Sequence, residues 1–380
     1  MRLALFLHIY QPPTQFPEVT KEITETSYLK IIEILKKNPQ AKITLNICGS
    51  LAAQLQNADC HGLITDLHGL AREGRVELTG SAAYHPLLPK LPDNEIIRQI
   101  ELNEKINKGV FGNTCQPSGF FPPEMAYQRR VGEIVEKLGY KWLLLDESAF
   151  PRRSGFRYND RLYDLEGTSL KVFFRERETS LAIAFAKVAS VSDFKKIFLN
   201  RIAPQSFIIL AMDGETFGHH QIYQLNFLDG FFACFKSGLV TISELLTMFD
   251  RVETVEPLTS TWGATIEDSE LGRVFPRWDN PKNPIHRWQW KLFRLALKFS
   301  NCQGRVRNLL DKAVHSDQFF WAAHDPCWHP EMIERGARML RDVVLDIGDA
   351  SVGDKKKAEM LYEKIIETGK KMYGEEIVAC

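Results

Sequence analysis

Ile208-Ile-Leu-Ala-Met-Asp-Gly-Glu-Thr-Phe-Gly-His-His220 opens with an unbroken apolar run and then meets two carboxylates separated by one glycine. A short run without polar alternation is the pattern of a strand buried on both faces. Such a strand ends rigidly, and a rigid end is a good place to hold a reacting group. Runs of the same kind occur at Leu3–Leu7, Ile43–Ile47, Arg75–Leu78, Gly119–Phe121, Trp142–Leu145, Val172–Phe174 and Ala182–Phe185. Between them lie segments with helical spacing of apolar residues: Tyr28–Lys37, Asn94–Lys108, Arg130–Leu138 and Val191–Asn200. Strands alternating with helices predict βαβ units and a parallel α/β sheet. Seven or so strands fit a closed or nearly closed barrel better than a dinucleotide-binding sheet, and neither GxGxxG after the first strand nor a Walker loop is present.

The last third has a different texture. Ile285–Phe299, Val306–Val314, Met332–Ile347 and Lys355–Met372 all carry helical periodicity, with few strand signals. We therefore divide the chain into a barrel over 1–256, a connecting segment over 257–284 and a helical region over 285–380. The connecting segment holds four prolines together with Trp262 and Trp278. Those two tryptophans favour an active-site rim over a plain linker.

Lys+Arg and Asp+Glu both number 48, so the chain is formally neutral. That balance argues against nucleic acid or an anionic membrane as partner. The first apolar run is too short for a secretion signal or a membrane span. The seven cysteines (48, 60, 115, 234, 302, 327 and 380) are scattered without a CxxC pair, which indicates neither a zinc ribbon nor a disulfide framework. A cytoplasmic setting is expected.

Polar residues gather where the strands end, as reactive groups do in parallel α/β barrels. His8-Ile-Tyr-Gln-Pro12 follows the first strand and Gly80-Ser-Ala-Ala-Tyr-His-Pro-Leu-Leu-Pro89 the third. Glu124 follows Gly119-Phe-Phe-Pro-Pro, Asp146 and Glu147 end Trp142–Leu145, and Asp213 and Glu215 end Phe207–Met212. Two carboxylates facing one cleft are what glycosidic bond cleavage requires.

Taken in order, these segments resemble the motifs of glycoside hydrolase family 57. His8–Pro12 resembles the family's His-x-His-Gln-Pro, and Gly80–Pro89 its segment with glycine and His-Pro. Gly119–Tyr127 is similar to Gly-x-Trp-x-Pro-Glu, and Met212–Gly218 to Asp-x-Glu-x-Phe-Gly. The agreement runs from residue 1 to about 220 and is loose from Thr261 to Trp328. The resemblance implies a distorted, TIM-like (β/α)7 barrel with a helical C-terminal region. It further implies a retaining glycosidase or glucanotransferase acting on an α-linked oligo- or polysaccharide, with no cofactor and no metal. On the matching positions, Glu124 would be the nucleophile and Asp213 the general acid/base. His8, Tyr10, Gln11, His85, Phe121, Glu215, His219, Trp262 and Trp278 are the expected sugar-binding residues. The chain departs from the pattern at Tyr10, where the family has a second histidine, and at Phe121, where it has tryptophan. Tyrosine still donates a hydrogen bond but carries no positive charge near neutrality. Phenylalanine keeps a stacking face and loses the indole donor.

Structural readings compete with these. Glu124 suits a helix N-terminus, where the macrodipole favours an acid, and Asp213 suits an N-cap. His8 and His85 fit hydrogen-bonded core histidines. Asp146 and Glu147 are suited to holding an arginine. Trp288 and Trp290 read as core, and Cys48 and Cys234 as small buried hydrophobes. Two other functions stay open. One is a metal-dependent deacetylase using His8, His85, Asp213 and His219 as ligands, although it lacks paired aspartates after the first strand and a close His-x-x-x-His. The other is a catalytically silent carbohydrate-binding protein.

Overall fold

The computed structural model describes residues 1–57, 60–151, 158–198, 206–265, 267–268, 271–325 and 327–373. Its strands are β1 (Arg2–Ile9), β2 (Ile43–Ile47), β3 (Val76–Thr79), β4 (Gly119–Phe120), β5 (Trp142–Asp146), β6 (Leu162–Leu165), β7 (Lys171–Arg175), β8 (Phe207–Asp213) and β9 (Val252–Val255). They form two sheets in the orders β3-β2-β1-β8 and β4-β5-β7-β6-β9. All pairings are parallel except β6 with β7.

Backbone hydrogen bonds tie the sheets together at two places. Gly80 N donates to Gly119 O (2.8 Å) and Phe121 N to Gly80 O (2.9 Å), which sets β3 beside β4. Glu176 N, just after β7, donates to Ile209 O of β8 (2.8 Å). The close approach at Gly80 needs glycine: a Cβ there would strike the ring of Tyr140.

Side chains of a strand alternate between its two faces, and the alternation positions the site. On β1, Leu3, Leu5, Leu7 and Ile9 pack outward against helices, in one cluster with Ile208, Leu210 and Met212 of β8. Ala4 and Phe6 face the other way, into a cluster with Trp142, Leu144, Phe173, Phe207, Ile209 and Ala211. That inner cluster draws on both sheets. Continuing each inner row by one step gives His8 on β1, Asp146 on β5, Arg175 on β7 and Asp213 on β8. The C-terminal strand ends therefore turn polar groups toward one region by register alone.

The helices Pro284–Leu297, Gly304–Ala313, Pro330–Asp346 and Val352–Tyr373 make up the C-terminal region. The first is started by Asn283, whose side chain accepts from Ile285 N (2.9 Å) and His286 N (3.3 Å), with Pro284 in the first turn. Both features are standard N-terminal signals. Trp290, Phe319, Leu340 and Leu361 share one buried cluster with Leu143, Leu145 and Phe174 of β5 and β7. Arg307 bonds Glu95 (2.5 Å) and Asp311 (2.6 Å), all three buried, and so fastens Gly304–Ala313 to the helix Asp93–Phe111. Breaking such a pair from one side costs about 3–5 kcal/mol.

Several expectations need correction. Ala182–Phe185 is not a strand: Arg177–Ala184 is a helix, begun by Glu176, whose side chain accepts from Thr179 N (2.7 Å). A capped, alanine-containing run outweighs the apolar pattern. β9 escaped notice because it is largely solvated, and β6 because it is short, with Asp164 among its apolar residues. Cys234 is exposed rather than buried, and Cys327 is disulfide-bonded. The expected helix Val191–Asn200 is seen over Val191–Phe198, and its last two positions lie outside the described residues. Among the described residues, no helix is long and apolar enough to cross a membrane.

Candidate active site

Glu124 follows the two-residue strand β4 with backbone angles φ 62°, ψ 14°. The left-handed region is costly for a residue with a Cβ, and His85 (φ 53°) and Met125 (φ 47°) share it. Pro122, with φ −72°, fixes the approach. The Glu124 carboxylate is held from two sides. Trp262 Nε1 donates to Oε2 (2.7 Å) and Ser316 Oγ to Oε1 (2.9 Å). Its side chain is 11% exposed. Burial, and then the charge of Asp317, pushes its pKa up to about 8.

His85 Nδ1 is 3.1 Å from Ser316 Oγ and 3.6 Å from Glu124 Oε1. Ser316 gives its proton to Glu124, so it accepts from His85, and Nδ1 carries the hydrogen. Burial, and then the neighbouring His8, lowers the His85 pKa to about 3. The ring is therefore neutral near pH 7 and makes no ion pair with Glu124. His85 Nε2 is buried without a hydrogen-bond partner.

His8 is fixed in the same manner. Asn46 Nδ2 donates to Gly80 O (3.3 Å) and Thr79 Oγ1 (3.0 Å), which orients the amide so that Oδ1 accepts from His8 Nδ1 (2.8 Å). Its lone pair is on Nε2. Burial lowers the His8 pKa against the opposing charge of Asp213. The rings form a column: Tyr10 to His85 at 4.1 Å, His85 to His8 at 5.0 Å and His8 to Phe121 at 4.9 Å between centroids. Phe121 thus packs on His8 with its own exposure reduced to 5%, so it backs the column.

Asp213 pairs in register with His8 across β1 and β8 and is exposed, unlike the six residues before it. A sharp turn follows. Gly218 has φ 104°, and a Cβ there would collide with Thr26 O. Glu215 is buried on the far side of that turn. It accepts from Tyr28 OH, Gln11 Nε2 (3.2 Å) and Tyr10 N (3.3 Å). Burial, and then Asp213, raises its pKa to about 8. With Oε1 engaged by all three donors, Glu215 orients the loop after β1.

The helical region contributes residues that no strand-end rule pointed to. Tyr10 OH donates to Asp317 Oδ2 (2.6 Å), and His315 Nδ1 lies 3.1 Å from the same oxygen. Burial alone would raise the Asp317 pKa, but bonding and charge from His315, with His85 and Tyr10, hold it below the usual range. Asp317 and Ser316 therefore reach the site from more than 190 positions beyond Glu124. The Tyr10 hydroxyl, expected to meet a sugar, is bound to Asp317. Trp262 is partly exposed beside Glu124, with Arg277 over its ring at 4.9 Å. Trp278 has no exposed surface and supports Trp262 edge-on at 5.9 Å, so it is no stacking platform. His219 is partly buried, and its ring meets His220 at 5.4 Å. Asp146 is fully buried and holds Arg175 and Arg177 (2.7 Å each), which resolves it as an arginine anchor. Among the described residues, the three-residue group able to hold a metal is His8, Cys48 and His85, without Asp213 or His219.

A sequence model described as Glycosyl hydrolase family 57 matches residues 6–258. Alpha-amylase 1 of Dictyoglomus thermophilum is 25% identical over 261 residues, covering 66% of this chain and 37% of that protein. The 4-alpha-glucanotransferase of Thermococcus litoralis is 22% identical over 337 residues, covering 82% and 50%. The chain thus spans half or less of the length of these relatives. In solved structures, the fold is similar to a branching enzyme of this type from Pyrococcus horikoshii, with TM-score 0.74, 16% identity and coverage of 97% and 94% of the two chains. It is also similar to the Thermococcus litoralis 4-alpha-glucanotransferase, with TM-score 0.73, 18% identity and coverage of 91% and 58%.

Proposed function

Since the chain belongs to glycosyl hydrolase family 57, we propose that it is a retaining enzyme that cleaves or transfers α-linked glucan by double displacement. In this reading Glu124 attacks the anomeric carbon and Asp213 protonates the leaving oxygen, then activates the acceptor. Water as acceptor gives hydrolysis, and a sugar hydroxyl gives transfer. The strands β1–β5, β7 and β8 act as a (β/α)7-type barrel over 1–256. Residues 257–284 form the rim and 285–380 the helical unit.

One observation carries the reading. The Glu124 carboxylate is gripped by the donor-only indole of Trp262 and by Ser316, one donor per oxygen. Such an arrangement stabilises the anion and aims it, as a nucleophile requires. His8, neutral and stacked on His85, offers its Nε2 lone pair as an acceptor for a sugar hydroxyl. Trp262 adds a partly exposed ring at the rim.

Burial favours a second division of roles. Glu124, at about 8, is the more easily protonated on account of its dry surroundings, whereas Asp213 is exposed. On burial alone Glu124 would be the proton donor and Asp213 the nucleophile. A glucan lying over Asp213 shields it from water and removes the difference in exposure on which this second division rests. Trapping the intermediate with a fluorinated glucosyl fluoride and mapping the labelled peptide decides between them. A label on Glu124 supports the main reading; a label on Asp213 reverses the roles. Product analysis with maltooligosaccharides, amylose and α-galactosides separates hydrolysis from transfer and identifies the sugar.

A further inference from the structure

Cys48 is fully buried one step beyond the end of β2, on the same inner row as Asn46. No step of the proposed reaction uses its thiol. Its Sγ and one ring nitrogen from each of His8 and His85 lie within 4.8 Å of one another. Sγ touches Asn46 Oδ1 at 3.7 Å and Ser81 Oγ at 3.8 Å, both weak contacts for sulfur. Each histidine has its Nδ1 engaged, which leaves the lone pair on Nε2. Each spends Nδ1–H on a neighbour, His8 on Asn46 and His85 on Ser316. His85 Nε2, moreover, is a buried nitrogen with no hydrogen-bond partner.

We propose that Cys48, His8 and His85 form a binding site for a borderline-soft divalent cation of the zinc type, and that the bound cation blocks the sugar site. One thiolate and two imidazoles are a donor set that zinc and cobalt prefer and that calcium and magnesium do not. A tetrahedral centre with Zn–S of about 2.3 Å and Zn–N of about 2.0 Å draws its ligands together by on the order of 1 Å from their present separation. Three protein ligands leave a fourth position for a water. The surroundings suit a cation: Asp213 and Asp317 act electrostatically on His8, and Asp317, Glu124 and Glu215 on Cys48. Burial, and to a lesser degree those carboxylates, pushes the Cys48 thiol pKa up. Binding thus replaces S–H by S–metal and releases one proton to solvent. Metal binding stands independently of the glucan reading; the blocking of sugar rests on it.

Cobalt(II) is the probe, since a cobalt–thiolate bond gives a near-ultraviolet charge-transfer band that histidine-only binding lacks. Titration of the full chain is expected to give that band at one equivalent, with one proton released. Cys48→Ala should abolish it, and Cys234→Ala, at an exposed thiol, should leave it intact. Zinc should raise the melting temperature of the parent and not of Cys48→Ala. No band in the parent, or a band that survives in Cys48→Ala, overturns the site. Zinc should also abolish glucan turnover in the parent while Cys48→Ala turns over glucan in its presence. Undiminished turnover of the metal-loaded parent overturns the blocking role. If the protein turns over no glucan at all, the function proposed above fails while the cobalt titration still decides the metal site. Circular dichroism of Cys48→Ala checks its folding, and Cys48→Ser serves as the second variant if alanine unfolds the chain.

Discussion

Trp262 Nε1 reaches Glu124 Oε2 at 2.7 Å across 138 positions of sequence, joining the rim segment to the end of β4. A hydrogen bond to a charged group is worth about 1.5–3 kcal/mol. Trp262→Phe keeps a ring and removes the donor. We expect kcat/KM to fall roughly 10- to 100-fold by that energy. The acidic limb of the pH–rate profile should move to higher pH, since the Glu124 anion loses a stabilising partner. An unchanged profile would show that the bond does not tune Glu124.

Glu124→Gln should reduce turnover roughly 10³-fold or more, as expected for loss of a nucleophile. Stability should move the opposite way. The folded-state pKa of about 8 lies above the ordinary carboxylate value, so the protonated form is favoured by folding. That stabilisation is complete below the unfolded pKa and is lost as pH rises through about 8. At pH 9 the variant, which buries no charge, should melt above the parent, with the difference vanishing in mild acid. Thermal melts across this range check it.

Tyr10→Phe leaves the stack on His85 and deletes the bond to Asp317. We expect a destabilisation of about 1–3 kcal/mol in urea unfolding, because Asp317 is then left with His315. His315 and His85 still hold the Asp317 carboxyl low, so its charge beside Glu124 stays. The acidic limb of the rate profile should accordingly stay in place, unlike that of Trp262→Phe.

Asp146→Asn breaks the anchor between Arg175 and Arg177. The carboxyl is fully buried; burial alone would raise its pKa, but the two arginines hold it low. The stability it provides is present above the unfolded pKa and is lost as pH falls through the folded value. Removing one member of such a buried set costs about 3–5 kcal/mol. The parent should therefore lose its advantage over Asp146→Asn in strong acid.

The fold was legible where one rule governed it. β1, β2, β5, β7 and β8 are buried on both faces, so their composition alone marked them. β6 is short and interrupted by Asp164, β9 is largely solvated, and Arg177–Ala184 depended on a cap at Glu176, a longer-range cue than a short apolar run. The positions of candidate residues were legible at strand ends: His8 and Asp213 pair in register, and Glu124 and Glu215 follow β4 and β8 within a few positions. Ser316 and Asp317 were not, because they come from the helical region, where position in space follows from tertiary packing. Tyr10 showed its ring but not its partner. Trp278 looked like Trp262 in sequence and differs only in which of the two is uppermost.

The left-handed backbone at His85, Glu124 and Met125 has an evolutionary consequence. Each of these residues occupies a conformation that glycine or asparagine adopts more cheaply, by about 1 kcal/mol or more. A library of this chain sorted only for heat resistance should drift toward glycine or asparagine at 85 and 124. One sorted on glucan turnover should restore histidine and glutamate. The tension between the two selections, read position by position, would mark the boundary of the catalytic apparatus without any ligand in hand.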